Sequence, residues 1–276
     1  MILHSECWGA SESASNSEKK KLVLLHGLGG NGRLWRPLAA SLEDEYSILA
    51  PDQRGHGQST NLVENDREAS ALAYGKDIME TMKHFNHYPS WVLGHSMGVR
   101  TALGLCQQVP EWIQGLVLID IGLSGNLGSS IGARLRPILS SLPLEFESRA
   151  LARQWLNENL PDPSIAQYLL AVMVPHPSVK GAMIFPFDRA FLLKTIDASV
   201  THSYKNWMLD YAKTGKPAYL LRGDQSQVWS YESFLQDQDD FKAYSNIHFE
   251  NWEETGHGLP FDKRKELVSK LKQWIA

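Results

Sequence analysis

Cysteine is scarce: Cys7 and Cys106 are the only two in 276 residues. They lie far apart and without metal-ligand spacing, which argues against a disulfide framework or a zinc site and fits reduced thiols in a cytoplasmic protein, with room for a single bridge at most. Long apolar runs are also missing. No stretch approaches the ~20 residues of a membrane span, and Met1 to Gly9 has no basic segment leading into an apolar one, so neither an anchor nor a secretory leader is expected. Positive charge is not in excess, at 27 Lys and Arg against 31 Asp and Glu, and the one basic cluster, Lys19-Lys20-Lys21, has Glu12 and Glu18 beside it. That balance makes nucleic acid an unsuitable partner. Gly27-x-Gly29-Gly30 lacks the spacing and the following acidic residue of a dinucleotide fingerprint. No flavin, nucleotide or metal signature appears, so no cofactor is expected. Internal repeats and low-complexity tracts are absent as well. A monomer is the default expectation, with a homodimer as the alternative.

What the sequence does have is apolar content, 43% of all residues, enough for one large domain or a domain with an insertion. Its distribution is rhythmic. Leu22-Val23-Leu24-Leu25, Tyr46 to Ala50, Trp91-Val92-Leu93 and Leu116-Val117-Leu118-Ile119 read as strands buried on both faces. Helical patterns stand between them: Leu34, Trp35, Leu38 and Leu42, then a segment from about Ser70 to Phe85, then one from Met97 to Val109. Such alternation predicts a parallel sheet covered by helices on both faces. A first strand is expected over Ile2 to Trp8, in a hairpin followed by the turn-like segment Gly9 to Ser17. From Gly122 to Pro217 the rhythm stops; helical patterns such as Ala150 to Leu156 and Ile165 to Met173 are broken by prolines, among them Pro161. This stretch is expected to be an inserted helical cap, residues 122–217, in a core formed by 1–121 and 218–276. The sheet resumes at Ala218 to Leu221 and Ile247 to Phe249. Leu267, Val268, Leu271, Trp274 and Ile275 then form one face of a closing helix.

Gly94-His95-Ser96-Met97-Gly98 joins a strand pattern to a helix pattern. A serine in so tight a turn presents its hydroxyl outward, and Gly94 and Gly98 let the flanking segments approach. The backbone N–H of Met97 then lies at the first turn of a helix, where unpaired donors and the positive dipole end favour a developing oxyanion.

With His26-Gly27, Asp52-Gln53-Arg54-Gly55-His56-Gly57-x-Ser59 and Gly256-His257-Gly258, this pattern resembles the α/β-hydrolase family across almost the whole chain outside the insertion. The order nucleophile, acid, histidine matches that family too. The resemblance implies a mostly parallel α/β sheet with helices on both faces, Ser96 as nucleophile and His257 as general base. Imidazole suits the second role because its pKa lies near working pH. It also implies oxyanion donors at the N–H of Met97 and of Leu28, with Gly29 as the fallback. His95 and His56 are expected to pack or to staple loops, and Asp52 to anchor the loop carrying Arg54 and His56.

The acid has two candidates. In many relatives it follows the strand corresponding to Ala218 to Leu221, but here that register lands on Ser226, and Asp224 is the nearby carboxylate. Asp120 matches a serine-esterase-like branch in which Asp-Ile-Gly or Asp-Ile-Ala carries the acid after the strand following the nucleophile, and Arg222-Gly223-x-x-Ser226 resembles the same branch. Asp120 is preferred and Asp224 kept as the alternative. The implied chemistry is acyl transfer to water from a small-molecule ester or thioester, with Trp155, Met183, Phe185, Phe187 and Trp207, beside Tyr168 and Met173, as expected pocket residues. The same serine arrangement also serves cofactor-free haloperoxidases, C–C bond hydrolases, acyltransferases and slowly turning ligand receptors.

Overall fold

The structure is a computed structural model and describes residues 1–9, 19–62, 68–124, 131–160, 162–200 and 202–275. Of the turn segment expected at 9–17 only Gly9 falls among these, and Pro161 lies outside them.

Seven strands form the main sheet: β1 (Ser5–Trp8), β2 (Lys20–Leu25), β3 (Tyr46–Pro51), β4 (Ser90–His95), β5 (Ile113–Ile119), β9 (Ala218–Gly223) and β10 (Ile247–Trp252). Their order is β1-β3-β2-β4-β5-β9-β10, with β1 antiparallel to β3 and the other neighbours parallel. The first strand is therefore not a hairpin partner of β2. Both edges of β2 are occupied, by β3 and β4, so β1 pairs at the free edge of β3.

The sheet helices are α1 (Arg36–Ala39), α2 (Ala71–His84), α3 (Met97–Cys106), α8 (Lys205–Ala212), α9 (Tyr231–Phe241), α10 (Leu259–Asp262) and α11 (Arg264–Trp274). Local chemistry sets their ends. The Ser70 hydroxyl accepts from the Ala73 N–H at 3.2 Å and caps α2. Expected as far as Val109, α3 ends at Cys106, and Pro110 ahead of β5 keeps Val109 out of helical backbone, at φ −141° and ψ 59°. Two apolar layers flank the sheet. Ile78, Met82, Val99, Leu103 and Met208 pack on one side, and Trp35, Leu38, Leu42, Leu267 and Leu271 on the other.

Between β5 and β9 no strand among the described residues joins this sheet. Helices α4 (Ile131–Ser141), α5 (Arg149–Asn159), α6 (Pro163–Val172) and α7 (Arg189–Val200) and the short strands β6 (Glu145–Phe146), β7 (Val174–Pro175) and β8 (Met183–Ile184) stand there instead. Leu139, Leu156, Ile165, Leu169, Phe185 and Leu192 form their separate apolar cluster. One helix of the stretch departs from this: α8 sends Met208, Tyr211 and Ala212 into the sheet core. Among the described residues no helix is long and apolar enough to cross a membrane.

Helices α2 and α3 approach closely enough that glycine is required on both. A Cβ at Gly104 would lie 2.1 Å from the Ala71 carbonyl oxygen, and one at Gly75 would lie 2.4 Å from the Gly104 carbonyl carbon. Because α3 carries Ser96 at its N-terminus, this contact also sets where the serine sits. Gly104→Ala is expected to lower stability by about 1–3 kcal/mol through overpacking, measured as a fall in the urea midpoint.

Candidate active site

Every strand end that matters here lies on one level. Parallel register places Leu25 opposite Gly94, His95 opposite Ile119 and Ile119 opposite Leu221. The residues that follow, His26-Gly27, Ser96, Asp120 and Arg222-Gly223, therefore emerge together at the carboxyl edge of the sheet, where open α/β sheets bind ligands.

Ser96 occupies a left-handed backbone position, φ 55° and ψ −119°, which side-chain-bearing residues rarely adopt. Its surroundings hold it there. The Ser96 N–H donates to Ile119 O at 2.9 Å and its carbonyl accepts from the Val99 N–H at 2.9 Å. A Cβ at Gly94 would meet the Gly98 carbonyl oxygen at 2.4 Å, and one at Gly98 would meet that of Leu25 at 2.3 Å. The two glycines thus serve close approach, as the pattern predicts. Ser96 Oγ has no hydrogen-bond partner among the described residues.

Asp120 is also left-handed, φ 57°, and its side chain is wholly buried. Oδ1 accepts from the Gly223 N–H at 3.1 Å. Oδ2 accepts from the Ser226 hydroxyl at 2.6 Å and from His257 Nδ1 at 2.8 Å. Ser226 is in turn held by the N–H groups of Val228 and Trp229. Arg222 ties down the same loop through Trp229 O at 2.6 Å, Ser226 O at 3.3 Å and Asn251 Oδ1 at 2.7 Å. Asp224 is exposed and accepts from the Thr255 N–H at 3.2 Å. Between the two expected acids, the structure brings Asp120 to His257 and leaves Asp224 as a turn residue.

Three other histidines near Ser96 are neutral and committed. His95 donates from Nε2 to the His257 carbonyl at 2.8 Å, and its Nδ1 is buried without a partner. Burial, and then the nearby His257 ring, lower its pKa well below the ordinary 6.5. His26 accepts the Gln53 N–H at Nε2 and donates from Nδ1 to Gly27 O at 2.8 Å; burial first, and then His56, put it well below the same value. His56 staples Arg54 O and is pushed by burial to about 4. Asp52 accepts from Gly32 N–H at 2.7 Å and Gln58 N–H at 2.8 Å. Arg54 pairs with Asp77 at 2.5 Å, so the 52–58 loop is anchored as expected.

Ser96 and His257 line one small cavity of about 50 Å³ together with Leu28, Leu135, Leu139, Ile165, Leu169 and Leu192. Leu160 and Val228 complete its aliphatic wall, and Gly27, Gly29, His95 and Tyr168 line the rest. The N–H groups of Leu28 and Met97 donate to no protein acceptor among the described residues. The expected aromatic pocket is corrected by this lining, which includes none of Trp155, Met183, Phe185, Phe187 and Trp207. Phe185 stacks on Phe187 at 5.2 Å between ring centres and meets Phe146 at 6.2 Å, while Trp155 packs on Phe146. Met183 joins the same inserted cluster, and Trp207 packs against His202 and Tyr204. Phe185, Phe187, Trp155 and Met183 hold the inserted segment together, and Trp207 packs against the sheet core. Tyr168, weighed beside them, does line the cavity. Among the described residues no group of three or more His, Cys, Asp or Glu is placed to hold a metal ion.

Residues 20–162 match a family described as the alpha/beta hydrolase fold. The chain is 25% identical over 263 residues to the sn-1-specific diacylglycerol lipase ABHD11 of Mus musculus, covering 92% of this chain and 80% of that protein. Among solved structures it resembles a marine microorganism esterase, with TM-score 0.76, 20% identity and 99% of each chain covered. It also resembles E-2-(acetamidomethylene)succinate hydrolase, with TM-score 0.81, 18% identity, and 99% of this chain and 94% of that one covered.

The buried neutral histidines have a consequence for stability. His56 and His87 stand at about 4 in the folded protein, both through burial, against an ordinary 6.5. Between those values the unfolded chain binds more protons than the folded one, so stability falls as pH drops from 6.5 towards 4 and these groups contribute no further change below that. Urea unfolding followed by tryptophan fluorescence is expected to show a midpoint that falls between pH 7 and pH 5.

Proposed function

The chain belongs to the alpha/beta hydrolase fold family, and on that premise we propose that it is a serine hydrolase cleaving carboxylic esters or thioesters through an acyl-Ser96 intermediate. The observation that carries this reading is the 2.8 Å bond between Asp120 Oδ2 and His257 Nδ1, in a site where His257 and Ser96 share one cavity. With Nδ1–H committed to the carboxylate, Nε2 is the basic nitrogen. Ser96 Oγ attacks the substrate carbonyl while His257 Nε2 takes the hydroxyl proton. The tetrahedral oxyanion is received by the N–H groups of Leu28 and Met97, and His257 returns the proton to the leaving alcohol or thiol. Water then repeats the sequence on the acyl-serine. Asp120 orients the imidazole and stabilises its charged form.

The reading extends to the insertion. Residues 122–217, apart from α8, act as a cap on a core of 1–121 and 218–276, since α4, α6, α7 and Leu160 supply most of the aliphatic wall of the cavity. A volume of about 50 Å³ holds roughly four water-sized groups. That size and the aliphatic wall favour a short, unbranched acyl chain. The relative named as a diacylglycerol lipase supports ester chemistry.

A fluorophosphonate probe is expected to label Ser96, with labelling lost in Ser96→Ala, and a panel of p-nitrophenyl esters is expected to turn over fastest with short acyl chains. An unlabelled protein that turns over none of them would sink this function. Asp120→Asn is expected to lower kcat by about 10³–10⁴-fold through loss of the correct tautomer. Asp224→Asn is expected to leave kcat close to wild type; the reverse ranking would move the acid to Asp224.

A further inference from the structure

The carbonyl of Gly27 accepts an unusual number of hydrogen bonds. The Gly30 N–H reaches it at 3.0 Å, His26 Nδ1 at 2.8 Å and the Tyr168 hydroxyl at 2.9 Å. The direction of the second is set by the Gln53 N–H, which occupies His26 Nε2 at 2.9 Å and leaves Nδ1 as the protonated nitrogen. Two of these donors belong to the loop itself. Tyr168 is different, since it reaches in from α6 of the inserted segment.

Gly27 C=O and Leu28 N–H are the two ends of one peptide unit. That unit is planar and trans, so its carbonyl and its N–H point in opposite directions. Fixing the first therefore fixes the second, and Leu28 N–H has no acceptor of its own among the described residues. Donors on a carbonyl also polarise the amide, which strengthens the N–H at its far end.

The loop is shaped around the tyrosine. A Cβ at Gly30 would lie 2.0 Å from the Tyr168 hydroxyl oxygen, and one at Gly27 would lie 3.3 Å from it and 3.1 Å from Ser96 Cβ. The hydroxyl thus sits where only glycines leave room, close to the serine. Its ring is wedged between His95 and Phe261, at 5.9 and 6.0 Å between centres. Burial raises the phenol above its ordinary value, so the group remains a donor.

We propose that Tyr168 is a positioning residue for the oxyanion site: its hydroxyl, donated by the inserted segment to the Gly27 carbonyl, aims and polarises the Leu28 N–H. The inference rests on the serine-hydrolase reading of Ser96 and Leu28. It makes correct seating of α6 a condition for a working oxyanion donor, because the donor is oriented from the insertion side.

The test is Tyr168→Phe, which removes the hydroxyl and keeps the ring. With p-nitrophenyl acetate, kcat is expected to fall about tenfold, less than the 10²–10³ of deleting a donor outright, while KM and the melting temperature stay near wild type. The Ki of an aryl trifluoromethyl ketone, which adds to the serine as an oxyanion, is expected to weaken by the same factor as kcat. An unchanged kcat, or a loss carried by KM with Ki unmoved, would mean that Tyr168 only seats α6 and would overturn the proposal. Should the phenylalanine variant fold poorly, 3-fluorotyrosine at position 168 decides. This more acidic donor of nearly the same shape is expected to keep kcat and Ki at wild-type levels or better, and a clear loss overturns the proposal. Wild-type labelling by the fluorophosphonate separates the two levels. A labelled, active wild type with an equally active Tyr168→Phe removes the role of Tyr168 alone, whereas an inert wild type removes the serine-hydrolase reading and this inference with it.

Discussion

A carboxylate with no access to water is the constraint on which the site depends. Asp120 is wholly buried, and taking an ionised group out of water is costly unless charge-assisted hydrogen bonds replace its hydration. Its three donors come from separate places: Gly223 at the end of β9, Ser226 in the loop after it, and His257 beyond β10. Satisfying one carboxylate therefore draws three segments together. The Arg222 guanidinium extends the effect, since Trp229, Ser226 and Asn251 all accept from it. The loop that would otherwise be free to move is sewn to both neighbouring strands, and the imidazole inherits that rigidity.

The second constraint is backbone strain, and it falls on two of the three residues that bear the proposed chemistry. Ser96 and Asp120 both have positive φ, and they follow His95 and Ile119, which are paired across β4 and β5. Each is held by a bond from its own N–H to the next strand, Ser96 to Ile119 O and Asp120 to Leu221 O. The sheet thus pays for the turns, and neither side chain can relax without breaking a ladder that continues into the core. Strain of this kind persists only where the surroundings over-determine it.

Much of this was legible in the residue pattern because the informative residues announce local geometry. Gly94 and Gly98 mark a turn that needs close approach, and the buried apolar runs mark strands with both faces covered. The partnership of Asp120 with His257 was legible through Asp120-Ile121-Gly122 and the serine at 226, although the 2.6 Å hydrogen bond between Ser226 and Asp120 joins positions too far apart for any local period to show. The pairing of β1 is hidden for a related reason: nearness in sequence suggests a hairpin, while the free edge belongs to β3. The cavity lining was hidden most deeply. Helical periodicity says that a face is apolar but not which body it packs against, and Phe185, Phe187 and Trp155 pack within the insertion while leucines and an isoleucine face the serine.

Four imidazoles crowd the edge of the sheet near Ser96, and the reason only one of them suits a proton-transfer role lies in what the other three already hold. In His26 both ring nitrogens are engaged, one by Gln53 N–H and one by Gly27 O. His56 and His95 each donate one N–H to a backbone carbonyl and keep the other nitrogen buried without a partner; protonating it would place an unpaired charge in a dry interior, which is why burial depresses both. Of these four, His257 is the one that combines a carboxylate partner at Nδ1 with partial solvent access at its side chain, so its imidazolium can be stabilised when it forms. The neutral rings around it serve a complementary end. His95 holds the His257 backbone at 2.8 Å and adds no competing positive charge, which leaves the Asp120 carboxylate to act on His257 undivided.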